Sequence, residues 1–365
     1  MPRPISATIH VAALAANLSL AQSQAPGTNA WAVVKADAYG HGIKAAYAGF
    51  QAAQGLALIE IENAVVLRDM GWTKPILLLE GCYDALDWHA AAEHRLTCVV
   101  HSDDQLAVIE ATTLPRKVDV YLKFNSGMNR LGFRMDRMRA VAQRALAHAG
   151  IGEITLMTHF ARADEPNGYA EQLKRFNDAA SGLQLPHSVV NSAADFDFIR
   201  SNGAMGSSQD WIRPGIMLYG STPFSHATHS AASLKLKPAM TLATEIIGIQ
   251  DIQAGEAVGY GGAYVADKPR RIAIVAAGYA DGYPRHAPTG TPVLVGEMRA
   301  SLVGRVSMDK ITVDITNVPL AHVGTRVELF GQRLVVDEVA NASGTIGYEL
   351  LTAVAPRVPR VIVAQ

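Results

Sequence analysis

Cysteine is nearly absent: Cys82 and Cys98 are the only two in 365 residues. Neither falls in a CxxC or any other metal-ligand spacing, so both read as reduced core residues and no metal is expected. An excess of either charge is also missing, since 32 basic residues face 33 acidic ones and the formal net charge is −1. No overall field recruits nucleic acid or an anionic membrane, and the natural partner is a small molecule. Long apolar runs are lacking too. Runs such as residues 76–79 and 272–277 fall far short of the about 18 residues that span a bilayer. The opening Met1-Pro2-Arg3-Pro4-Ile5-Ser6 leads into Ala7-Thr8-Ile9-His10 with no apolar segment and cleavage site of an export signal. A soluble, cytoplasmic protein without membrane contact is the expectation.

What is present is ample apolar material, 49% of the chain, in a length that exceeds one hydrophobic core and calls for a large domain plus a smaller one. Short β-rich runs recur at residues 32–35, 56–59, 76–79, 97–101, 118–124, 154–159, 188–191 and 216–219, with helix-length segments between them. That alternation predicts a (β/α)8 TIM-type barrel over residues 10–235. Beyond it, β-branched residues alternate with turn signals at 245–252, 271–276, 293–295, 299–303, 311–315 and 326–329. A mainly antiparallel β domain over residues 236–365 follows, with residues 1–9 able to join it as a strand.

Catalytic groups of a barrel sit at the C-terminal ends of its strands. Lys35, Lys123, His159, Asn191 and Ser192 each close an apolar run, and Arg213 with Gly215 lies just before the last one. An amine ending an apolar run, as Lys35 does, is partly desolvated, which favours its neutral form and suits Schiff-base chemistry with an aldehyde cofactor. The bland alternative is a lysine snorkelling to solvent. Tyr39, in a glycine-containing turn, either lines a phosphate site or packs beneath the first helix. Ser192 reads as the N-cap of a helix whose amides face an anion, or as a cap and nothing more. Arg213-Pro214-Gly215-Ile216 offers a second set of donors near the last two strands, where this fold commonly holds a phosphate. Together with a Schiff-base lysine, a cofactor phosphate points to pyridoxal 5'-phosphate.

Eight ordered motifs spread over both domains resemble the alanine racemases. They are Val33-Val34-Lys35-Ala36-Asp37-Ala38-Tyr39-Gly40-His41-Gly42; Lys123-Phe124-Asn125-Ser126-Gly127-Met128-Asn129-Arg130-Leu131-Gly132; Thr158-His159-Phe160-Ala161; Arg213-Pro214-Gly215-Ile216; Val258-Gly259-Tyr260-Gly261; Gly278-Tyr279-Ala280-Asp281-Gly282; Gly304-Arg305-Val306-Ser307-Met308-Asp309; and Tyr348-Glu349. The resemblance implies pyridoxal-phosphate-dependent interconversion of L- and D-alanine by two opposed bases, Lys35 and the Tyr260 of a second subunit in a homodimer. It further implies that His159 hydrogen-bonds the Tyr260 phenol and that Arg213 donates to the pyridine nitrogen. Tyr39, Asn191, Ser192, Gly215, Ile216 and Tyr348 would line the cofactor.

By the same likeness Arg130 and the Met308 backbone amide would take the substrate carboxylate, with Lys123, often carbamylated in relatives, positioning Arg130. Tyr279, Asp281 and Arg285 resemble residues of the access channel. Each has a plainer reading from pattern alone: Tyr260 as a turn aromatic, His159 as a satisfied buried histidine, Arg213 in a salt bridge, Met308 as core filler. Asn125-Ser126 departs from the Asp-Thr of many relatives, and the variant looks more like the catabolic form that feeds on alanine than the one supplying D-alanine to peptidoglycan. The competing readings are a broad-specificity racemase, a fold-type III decarboxylase and a single-barrel pyridoxal-phosphate carrier.

Overall fold

Fully buried apolar runs such as Gly55–Leu58, Ile76–Leu78 and Thr97–Val100 carry no solvent-facing alternation. Strands of that kind need covering on both faces, which is the setting of a parallel sheet wrapped in helices. The computed structural model describes residues 3–202, 208–225 and 229–364. Its contacts divide the chain into two units: one of Ala15–Ala38 and Ala46–Leu218, the other of Met1–Leu14, Tyr39–Ala45 and Tyr219–Gln365.

The first unit is the barrel. Its strands are β1 (Asn29–Val33), β2 (Gly55–Leu58), β3 (Ile76–Leu78), β4 (Thr97–Val100), β5 (Val118–Asn125), β6 (Ile151–Met157), β7 (His187–Ser188) and β8 (Trp211–Ile212). They pair in parallel in the order β8-β1-β2-β3-β4-β5-β6-β7. The ring is completed between β7 and β8 by a parallel bridge of Asn191 with Arg213 and by the Arg213 N–H donating to the Val190 carbonyl at 2.9 Å. Inside, Trp31 stacks on Trp211 with centroids 4.1 Å apart, and its Nε1 donates to the Tyr121 hydroxyl at 2.9 Å. A Cβ at Gly55 would lie 2.2 Å from the Trp31 ring, so only glycine leaves the indole its place.

One expected strand is corrected. Residues 216–219 form a 3-10 turn, Ile216–Tyr219, and Trp211–Ile212 takes the eighth place. Pro214 has no N–H for a ladder, and a short buried apolar run reads alike as strand or helix. Arg213 and Gly215 therefore follow the last strand instead of preceding it, at the catalytic end of the barrel.

The second unit is built on the long strand Met240–Ile252, which pairs antiparallel with Ser6–His10, Arg326–Phe330 and Arg270–Val275. Arg270–Val275 also pairs with Ile311–Asp314, which pairs with Met298–Leu302, and that strand with Pro292–Val295. The ladder closes on itself through Arg326–Phe330. Arg360–Val363 adds a strand parallel to Ser6–His10. No helix among the described residues is long and apolar enough to cross a membrane.

Candidate active site

Lys35 leaves β1 and enters an unusual turn. Ala36, Asp37, Ala38 and Tyr39 all have φ between 50° and 55°, and Ala38 N–H bonds the Val34 carbonyl at 2.9 Å. This is a left-handed helical turn of L-residues, each costing about 1–2 kcal/mol, and strain of this kind clusters at working sites. Burial holds the half-buried Lys35 amine below its ordinary pKa, Arg130 adds to the effect, and Glu80 and Glu60 oppose it.

Lys123 on β5 is 7% exposed. Burial and then Arg213, Arg130 and Lys35 hold its pKa down to about 8. The following loop is pinned by Asn125, whose Oδ1 accepts from the N–H groups of Gly127 and Asn129 at 3.1 and 2.9 Å and whose Nδ2 donates to Asn129 Oδ1 at 3.0 Å. Ser126 shares a 2.7 Å hydrogen bond with Thr158. Arg130 stands exposed at the tip of this braced loop.

Arg213, 4% exposed, donates through Nη1 to Ser188 Oγ and through Nη2 to the Thr158 carbonyl, both at 2.6 Å. Nη2 lies 3.5 Å from His159 Nδ1. Burial pulls the guanidinium pKa down to about 10, still far above neutrality, so Arg213 stays charged. It is ligated by neutral oxygens and makes no salt bridge among the described residues. Burial, and then Arg213, Lys123, Arg130 and Lys35, hold His159 well below the usual histidine range. His159 is therefore neutral, and because a guanidinium only donates, its Nδ1 is the acceptor and Nε2 carries the proton.

The cap of the helix Ser192–Asn202 is corrected by one residue. Asn191 Oδ1 accepts from Ala194 N–H at 3.1 Å, so Asn191 caps it. Ser192 Oγ instead accepts from Gly215 N–H at 2.7 Å. That bond ties the two donor turns after β7 and β8 together and leaves the hydroxyl proton to give.

Glu60, Glu80 and His101 were missed, though they follow β2, β3 and β4 just as Lys35 follows β1. The strand-end rule marks all three as well as it marks Lys35. Glu60 Oε2 is buried with no hydrogen-bond partner among the described residues. Gln105 fixes this side, donating to the Glu80 carbonyl at 2.8 Å and accepting from His101 N–H at 2.9 Å.

In the other unit, Tyr39 is buried and stacks on Tyr219 at 4.6 Å, with Tyr348 at 6.1 Å. Tyr260 is 73% exposed on the turn of a small ribbon, Ala257–Val258 with Tyr264–Val265. Its neighbours Gly259 and Gly261 take φ of 73° and 69°, where a side chain would strain the turn. Met308 is 54% exposed, which removes the core-filler reading. Tyr279 and Arg285 are also exposed. Asp281 is corrected: at 0% exposure it lines no open channel, and its carboxylate is enclosed by Arg3 and Arg357, each at 2.8 Å.

The barrel rim thus gathers Lys35, Lys123, Arg130 and Arg213 with one neutral histidine, a cationic ring that suits a ligand carrying both phosphate and carboxylate. Comparison with known proteins gives the family. Residues 9–223 match the sequence profile described as "Alanine racemase, N-terminal domain", and residues 239–362 that of "Alanine racemase, C-terminal domain". An alanine racemase of Janthinobacterium sp. (strain Marseille) is 52% identical over 362 residues, 98% of each chain. A catabolic alanine racemase of Salmonella typhimurium is 50% identical over 359 residues, 98% of this chain and 99% of that one. The crystal structure of the biosynthetic alanine racemase of Pseudomonas aeruginosa superposes with a TM-score of 0.93 at 45% identity, covering 99% of both chains.

Proposed function

The chain belongs to the alanine racemase family of isomerases, and on that premise we propose that it interconverts L- and D-alanine with pyridoxal 5'-phosphate on Lys35 and a Tyr260 contributed by the partner subunit. The residues present fit that cofactor. The Ser192 hydroxyl and the Ile216 amide are donors of the type a phosphate needs, with the Gly215 N–H anchoring Ser192 and Asn191 capping the helix start; the family resemblance adds Tyr39 and Tyr348. When bound, the cofactor supplies an electron sink for charge developing at the α-carbon.

The chain's own groups do the rest. Desolvation lowers the pKa of the Lys35 amine, which suits its Nζ to take or return the α-proton on one face. Tyr260 Oη serves the other face. His159, presenting Nε2–H, is the group that hydrogen-bonds this oxygen and orients it. Arg213 does not readily give up its proton, so a pyridine nitrogen held against it would keep its lone pair and the sink would be weak, which would limit side reactions. Arg130 takes the substrate carboxylate in a charge-assisted contact, joined by the Met308 N–H, and Lys123 positions Arg130. Because Tyr260 serves a neighbouring barrel, the working unit is a homodimer in the cytoplasm, acting on free alanine for peptidoglycan or for catabolism.

The observation that carries this reading is the convergence of Lys35, Lys123, His159 and Arg213 on one barrel rim, with Arg213 meeting neutral groups and no acid among the described residues. A decarboxylase would place an acid there. The test is D-alanine in deuterium oxide with the holoenzyme: α-hydrogen exchange accompanied by inversion supports racemisation, and exchange with release of carbon dioxide overturns it.

A further inference from the structure

Four charged residues far apart in sequence meet in the C-terminal unit. Asp281 Oδ1 accepts from Arg3 Nη1 and from Arg357 Nε, both at 2.8 Å, and its Oδ2 accepts from the Gly278 N–H at 2.9 Å. Arg357 Nη2 reaches on to Asp309 Oδ1 at 2.6 Å, and Arg3 Nη2 to the Asp309 carbonyl at 2.9 Å. The charges balance, and the Asp281 carboxylate is wholly buried with all its contacts charge-assisted or from backbone.

This node sits where two loops touch backbone to backbone. The Tyr279 N–H donates to the Ser307 carbonyl at 3.1 Å and the Ala280 N–H to the Met308 carbonyl at 3.0 Å. A Cβ at Gly278 would stand 2.3 Å from both of those carbonyl oxygens. The C-terminal segment is tied in as well, through the Ala355 N–H to the Asp281 carbonyl at 3.1 Å. Met308 and Tyr279, whose backbones are gripped this way, present their side chains outward.

Resting on the reading that the Met308 amide receives the substrate carboxylate, we propose that Asp281 is a positioning residue: clamped by Arg3 and Arg357, it sets the orientation of the Met308 amide and of Tyr279, and so tunes carboxylate binding without touching substrate. A buried carboxylate with two arginine partners has a fixed place, and the loops bonded to its own turn inherit it. Two residues near opposite ends of the chain therefore govern a site neither of them reaches.

The test uses the cofactor-loaded, full-length enzyme. Asp281→Asn loses the charge that both arginines meet and puts an N–H2 donor where Oδ2 accepts from the Gly278 N–H; it should raise KM for alanine about tenfold in both directions while kcat changes about threefold or less, the size of one lost charge-assisted bond. Hydrogen exchange at the Tyr279 and Ala280 amides should quicken at the same time. Arg357→Lys, which cannot hold Asp281 and Asp309 together, should give a smaller shift in the same sense. Should Asp281→Asn fail to fold, Arg3→Gln keeps one arginine in place and should still raise KM. Unchanged KM in folded variants, or a loss of kcat that merely follows melting temperature and dimer content, overturns the proposal. Wild-type enzyme that fails to racemise alanine overturns the functional reading instead, and the exchange measurement still reports on the clamp.

Discussion

Arg213 Nη2 stands 3.5 Å from Nδ1 of His159, and this contact assigns the charge at the centre of the rim: the arginine is cationic, the histidine neutral. A histidine with its pKa pushed down must gain a proton on unfolding in mild acid. Its contribution to stability is present above the unfolded value near 6.5 and is lost as pH falls below it.

The first prediction concerns pH. Activity should show no limb near pH ~6.5, the ordinary histidine value, because His159 does not titrate there. In Arg213→Gln the nearest cation is gone, so the His159 pKa should rise, with burial still holding it below the ordinary value, and the acid limb of kcat against pH should move up. The same variant should lose at least about tenfold in rate, as a charged hydrogen bond is removed. A wild-type profile that breaks at the ordinary histidine value would contradict the assignment.

The second concerns Lys123. With a pKa near 8, a substantial fraction of this amine is unprotonated in mildly alkaline solution and can add carbon dioxide. Intact mass spectrometry in bicarbonate should show one such adduct, absent in Lys123→Met. A plain lysine in high-resolution density at that position would remove the idea.

The third concerns Tyr260. Tyr260→Phe should lose deprotonation of L-alanine by about two to four orders of magnitude, the usual reach of a positioned base. Exchange of the α-hydrogen of D-alanine, which the proposed mechanism gives to Lys35, should survive. Equal loss in both directions would argue against this division of labour.

The fourth concerns stability away from the chemistry. Asp195, 1% exposed in the first turn of the helix Ser192–Asn202, has no hydrogen-bond partner on either carboxyl oxygen among the described residues, and burial raises its pKa well above normal. An acid raised in the fold contributes most below its unfolded pKa of about 3.9 and turns costly as pH rises. Asp195→Ala should therefore melt at a higher temperature than wild type at pH ~8, with the gain shrinking towards pH ~4. Thermal scans across that range decide it, and a pH-independent difference would rule the mechanism out.

Much of this was legible in the sequence. Apolar runs marked seven barrel strands in place, and the alternating residues after about residue 235 marked the antiparallel strands, because both patterns follow directly from which faces are buried. The eighth strand was misplaced since residues 216–219 are as apolar as a strand and their helical turn is imposed by Pro214 and Gly215. Lys35, Lys123, His159 and Arg213 were found by strand-end position. Glu60 and Glu80 share that position and were overlooked. The enclosure of Asp281 could not be read at all, because its partners Arg3 and Arg357 lie at far ends of the chain and only folding brings them near.

The turn at residues 36–39 carries one last implication. Four successive L-residues there hold torsions that their mirror-image monomers would prefer outright. A version assembled by chemical ligation with inverted stereocentres at Ala36 and Ala38 should settle into this segment with less strain than the natural chain, while the same inversion in an ordinary right-handed helix would break it. The segment is a place where the handedness of the building block and the handedness of the backbone have been set against each other.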